Sequence, residues 1–172
     1  MIRNIEMTEQ IAKKIGSRLA IKSVAIGLFV AQILMMLLFS NMNFLEAFFW
    51  FLHTNDFYLI YHILIGITFL FITAYFFGQK AGYDILIKNE EHGYVGFKYG
   101  FLTLALATFL GSLVGFFEEG ISSIGTDDNP FYDYIFKPMF WVLLFGIFPV
   151  LLVGFWFGRK IKKAGDKHLH SL

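Results

Sequence analysis

Polar and apolar residues fall in blocks along this chain rather than alternating. The stretches 23–40, 57–77, 99–117 and 139–157 contain no Asp, Glu, Lys or Arg and run to 18, 21, 19 and 19 residues. A helix rising ~1.5 Å per residue needs roughly 20 apolar residues to cross the hydrocarbon layer. Each stretch is therefore expected to be a transmembrane helix, the element that satisfies its own backbone hydrogen bonds in lipid. The predicted fold is all-α, with four transmembrane helices packed as a compact bundle of two helical hairpins, plus short interfacial helices. A leader at 1–22, a single four-span domain at 23–158 and a tail at 159–172 follow from the same boundaries.

The connecting segments have patterns of their own. Ile11, Ile15 and Leu19 recur every four residues, with Glu9, Lys13, Lys14, Ser17 and Arg18 on other faces. This suits an amphipathic helix on the inner leaflet, its cations set against anionic lipid, or else a solvated leader. The loop 41–56 crowds Phe44, Leu45, Phe48, Phe49, Trp50, Phe51 and Leu52 together. That run is too short to span; it fits a helix in the outer interface or a re-entrant segment. Span two is expected to continue briefly and end near Gly93. The segment 118–137, with Glu118, Glu119, Asp127, Asp128, Asp133, Gly120, Gly125 and Pro130, reads as an irregular acidic lid.

Charge sets the threading. Of the 14 Lys and Arg residues, all but Lys137 lie before span one, between spans two and three, or after span four. Short loops rich in Lys and Arg stay cytoplasmic, so both termini and the middle loop are expected inside. Richness in Phe, Ile, Lys and Asn suits a bacterial source, hence an inner-membrane location. The first span reads as retained rather than cleaved, because Ser40, Asn41, Met42 and Asn43 offer no Ala-x-Ala-like site. Composition agrees with a lipid environment: 57% hydrophobic and 16% charged, against about 25% charged in ordinary globular domains. A net charge of +1 points to no nucleic-acid partner. The absence of cysteine excludes disulfides, thiol nucleophiles and Cys-based metal sites.

A weak internal repeat appears at an offset of 80. Gly66-Ile67 matches Gly146-Ile147, and Phe77-Gly78-Gln79-Lys80 matches Phe157-Gly158-Arg159-Lys160. Ser23, Ala25 and Phe29 fall on Thr103, Ala105 and Phe109 at that same offset. Two hairpins in parallel orientation would produce this pattern, as would the narrow residue alphabet of membrane helices.

Candidate chemistry is sparse. Small residues four apart, Gly111 with Gly115 and Gly154 with Gly158, are candidate helix-packing faces within one copy or between copies. Pro149 is a candidate hinge, since it removes a backbone donor inside span four. Gln32, His62, Thr103, Thr108 and Ser112 are the candidate intramembrane or pore-lining polar groups. Glu118, Glu119, Asp127 and Asp128 could gather cations at an outer vestibule, or simply keep a loop soluble. His62 has no second buried histidine for haem ligation, and His168 and His170 would take metal only adventitiously. No phosphate-binding loop, nucleophile elbow or metalloprotease helix occurs, so no catalytic residue, cofactor or metal is expected.

Two functions fit. One is a homo-oligomeric channel or transport component, with any pore formed between copies because a single four-helix core is too narrow to conduct. The other is a non-catalytic accessory or scaffold subunit, in an envelope or defence system, acting through another membrane protein. Beyond such a copy or partner, the lipid bilayer is the only partner the pattern demands.

Overall fold

The computed structural model describes residues 7–39, 57–124 and 129–170. The loop 41–56, with its aromatic run, and Asp127 and Asp128 lie outside the described residues. Among the described residues the chain is helical, without strands. Its long helices are α1 (Glu9–Phe39), α2 (Phe57–Leu86), α3 (His92–Gly115) and α4 (Lys137–His170). All four are long and apolar enough to cross a membrane.

Each helix outruns its uncharged stretch on the basic side. The leader is therefore not a separate interfacial helix: α1 runs unbroken from Glu9 through span one to Phe39. Thr8 receives its first turn, accepting from the Ile11 amide at 3.4 Å, and Glu9 pairs with Lys13 one turn on. The apolar stripe expected to meet lipid meets protein instead, with Ile15 and Leu19 packed against the core. The tail likewise continues α4 as helix, and Ile161 within it is fully buried.

The inner turn also differs from expectation. Helix α2 stops at Leu86, and Asn89 takes a left-handed φ of 57° while the Glu90 amide donates back to Asp84 O at 3.0 Å. That six-residue closure is a helix stop, in which Asn replaces the usual Gly. Gly93 lies instead in the first turn of α3, because Glu91 caps that helix by accepting from the amides of Gly93 and Tyr94.

The segment after α3 is helical where described, up to Ser123 and again from Pro130. A π-helical turn, Phe116–Gly120, and a 3-10 turn, Ile121–Ser123, extend α3. A second π-helical turn, Tyr132–Phe136, leads into α4. Asn129 accepts from the Tyr132 amide at 3.2 Å and Pro130 opens this helical run, where a missing N–H costs nothing. The wide turn before Pro138 gives its ring room inside a continuous helical path.

Packing follows a ring: α1 against α2, α2 against α3, α3 against α4, and α4 back against α1. The closest approaches run through glycine at the basic end. A Cβ on Gly16 would lie 2.1 Å from Gly78 O, and one on Gly82 would lie 2.2 Å from Ala12 O. Between α3 and α4 the same contact recurs: a Cβ on Gly96 would lie 2.2 Å from Gly154 O, and one on Gly158 would lie 1.8 Å from His92 O. Ala12 and Gly16 thus correspond to His92 and Gly96, the offset of 80 read from sequence. In the second helices, however, Gly78 and Gly82 correspond to Gly154 and Gly158, an offset of 76. Burial repeats in step, with 78, 81, 82 and 85 buried like 154, 157, 158 and 161. The sequence match of Gly78 to Gly158 is therefore one helical turn out of structural register.

Around these crossings lies the buried core of Ala20, Ala74, Ala81, Ile85, Val95, Tyr99, Phe157 and Ile161. At these positions a side chain would have to displace a neighbouring backbone. Gly158→Ala is expected to lower stability by about 2–3 kcal/mol. Gly66→Ala, whose Cβ meets nothing within 4 Å, should be neutral or gain up to ~1 kcal/mol in helix propensity. Thermal unfolding of both variants in detergent measures the difference.

Candidate functional site

Tight packing at the basic end gives way, deeper in the apolar spans, to open space. A cavity of about 130 Å³ lies where all four helices face one another. Its walls are mostly small or aliphatic: Gly27 and Ala31 of α1, Leu70 and Ala74 of α2, Gly100 and Leu104 of α3, Gly146 and Val150 of α4. Pro149, the candidate hinge, forms part of the α4 wall. Ser23 and Thr103 also line it, at equivalent places in the two hairpins. Both hydroxyls donate to their own helices, Ser23 to Leu19 O at 2.8 Å and Thr103 to Tyr99 O at 2.7 Å. Thr73 crosses between helices, donating to Thr103 O at 3.3 Å as well as to Phe69 O.

At the basic end of this cavity Tyr99 forms a floor, and its hydroxyl donates to Asp84 Oδ2 at 2.6 Å. Asp84 is 4% exposed; its other oxygen meets Lys88 Nζ at 2.8 Å. One buried carboxylate is thus paired with an ammonium and hydrogen-bonded to a phenol, the arrangement that makes burial of charge tolerable. Lys88 in turn is held above its ordinary pKa by that bond to Asp84. Lys98 stands over the Tyr99 ring, 5.0 Å from its centre. Asp84 is not among the candidates the sequence offers. The available signal was Gly78, Gly82 and the apolar Ala81 and Ile85, which carry the inward face of α2 past the last span residue and bring Asp84 with it.

A second polar cluster sits at the opposite end. His62 Nε2 lies 3.2 Å from Glu118 Oε2, and the Tyr61 hydroxyl donates to Glu118 Oε1 at 3.2 Å. Glu119 accepts from the Tyr134 hydroxyl at 3.2 Å, which ties the end of α3 to the run leading into α4. The π-helical turn at Phe116–Gly120 is what aims both glutamates. Two residues picked separately from the sequence, His62 and Glu118, therefore form one pair across α2 and α3. Among the described residues no group of three or more His, Asp or Glu side chains could hold a metal ion.

The remaining candidates are dispersed. Gln32 is partly buried on α1 and is not part of the cavity wall. Thr108 donates to Leu104 O at 2.8 Å, and Ser112 is buried on α3. A Cβ on Gly111 would lie 3.7 Å from Gly66 Cα of α2, and Gly115 faces Tyr134 and His62. With Gly154 and Gly158 set against α3, all four packing glycines meet partners inside one copy.

Two outcomes test the inner cluster. Asp84→Ala leaves the Tyr99 hydroxyl without its acceptor and should cost about 1–3 kcal/mol, whereas Tyr99→Phe should cost roughly 1 kcal/mol; chemical unfolding in detergent reads both. At the neighbouring cap, the amides of Tyr94 and Gly93 hold the Glu91 carboxyl below its ordinary pKa. A lowered folded-state pKa adds stability above the ordinary value of about 4.3, and that stability is lost as pH falls through the lowered pKa. The stability difference between wild type and Glu91→Gln should therefore shrink below about pH 4, as unfolding curves across a pH series would show. Compared with known protein families, curated proteins and solved structures, the chain matches none of them.

Proposed function

We propose that this protein is a non-enzymatic transport component of the bacterial inner membrane, whose working part is the space between its four helices. The chain crosses the bilayer four times as a bundle of two duplicated hairpins, with both termini in the cytoplasm. Support for the threading comes from the helix ends that carry Lys22, Lys80, Lys98 and Arg159, all at the glycine-packed end. Support for duplication comes from the paired crossings at Gly16 and Gly96 and from the matched bonds of Ser23 and Thr103.

The observation that carries the functional reading is the central cavity walled by all four helices. It lies above a closed, glycine-packed end and a buried Asp84–Tyr99 pair. Its apolar walls favour an apolar or amphipathic membrane molecule over an ion. One copy suffices for this reading. A pore between copies draws less support, because the glycine faces meet partners within the subunit and Thr103 and Thr108 donate to their own helices.

An accessory role is the second reading. A stacked aromatic strip, Tyr132, Phe136 and Phe140 with Trp141 and Phe145 beside it, runs along the exposed side of α4 and its lead-in. Such rigid amphipathic rings also make anchors for a partner helix. Purified protein in vesicles carrying a fluorescent phosphatidylcholine separates the readings. Transport predicts faster exposure of the inner-leaflet probe to an external quencher, with no increase in potassium flux. Probe movement equal to that of protein-free vesicles would overturn the transport reading and favour the accessory one.

A further inference from the structure

The cavity is specific about what it can hold. Its floor hydroxyl, on Tyr99, donates to Asp84, and the Ser23 and Thr103 hydroxyls donate to backbone carbonyls of their own helices. A guest therefore meets almost only carbon along the wall of this recess, which is open on one side rather than enclosed. Water in such a space would lack the two to four polar partners that a buried water needs. At about 130 Å³ the cavity approaches an apolar pocket of about 150 Å³ that stays dry and takes up benzene. That size admits the end of a single hydrocarbon chain but not a whole lipid or a fused-ring molecule.

Two further observations bear on the occupant. Apart from Ala20 and Gly78 at its basic end, the wall falls within the uncharged spans, where the surrounding medium is acyl chain. The wall is also left open by small residues rather than by a packing conflict. A Cβ at Gly27 would meet nothing within 4 Å, and Ala31 and Gly100 continue the recess. At the basic end the opposite holds: glycines there are filled to backbone contact by the facing helix. Small residues thus close the helices in one region and hold a space in the other.

We infer that this cavity binds one hydrocarbon chain, the terminal part of a membrane lipid's acyl tail. The inference deepens the transport reading by naming the chemical class of its guest.

Full-length protein reconstituted in phosphatidylcholine vesicles, with a fraction of the lipid carrying a photoreactive diazirine near the end of one acyl chain, tests it. Irradiation followed by peptide mass spectrometry maps the adducts. Adducts are expected at Gly27, Ala31, Leu70 and Val150, in addition to the outward-facing Leu37, Phe148 and Leu152. In Gly27→Leu the inward adducts should fall about tenfold while the outward ones hold, because the new side chain takes the space. Ala31→Leu serves the same purpose should Gly27→Leu fail to fold. Competition with free oleate separates sources: inward adducts that persist mark a lipid tail, and adducts that vanish mark a free fatty acid in its place. Outward adducts without inward ones, or inward adducts indifferent to both filling variants, would overturn the assignment. Inward adducts in a protein that moves no fluorescent lipid leave the site standing and remove only the transport reading. Lipid movement without inward adducts does the reverse.

Discussion

Backbone-to-backbone approach at two helix crossings organises this molecule. In lipid, burying apolar side chains gains little, because the alternative environment is equally apolar; helices adhere where small residues let their backbones touch. Gly16 with Gly78 and Gly82, and Gly96 with Gly154 and Gly158, provide that touch. They sit at or beyond the basic margin of the spans, where helical extensions also bury Ile85, Val95 and Ile161. Two forces therefore coincide at one end: close packing within the bilayer, and the hydrophobic effect where the helices emerge into water. The cavity lies on the side of the crossings where the second force no longer acts.

Much of the architecture was legible because lipid imposes simple demands. Absence of charge over about 20 residues marks a helix whatever its order of residues, and the four predicted stretches all lie within long helices. What the chain does outside lipid was harder to read. The leader and the acidic segment read as interfacial or irregular because each is polar on average, and the helix after span two reads as ending near Gly93. Each is in fact shaped by single-residue features: the Thr8 start, the Asn89 stop, the Glu91 cap and the two π-helical turns. Average polarity does not carry such information.

The candidate site was legible in part for the same reason. His62 and Glu118 stood out as ionisable groups at depth and at a span end, but only the folded helices bring them within 3.2 Å. Asp84 is the instructive omission. It lies beyond the uncharged stretch, between Lys80 and Lys88, and its burial depends on α2 keeping one face inward past that stretch. The cavity has no sequence signature at all, since Gly27 and Gly100 look like the packing glycines and differ only in what faces them: nothing within 4 Å of a Cβ at Gly27, and only ordinary contacts at Gly100.

The second hairpin reaches its glycine contact with four residues fewer than the first. Four residues is close to one full helical revolution, so the shortening advances the strand of contacts along the axis while leaving the inward azimuth nearly unchanged. Within α4 the same rule holds: a change of about one turn would keep Gly154 facing α3, whereas a change of two residues would swing it to the far side of its helix.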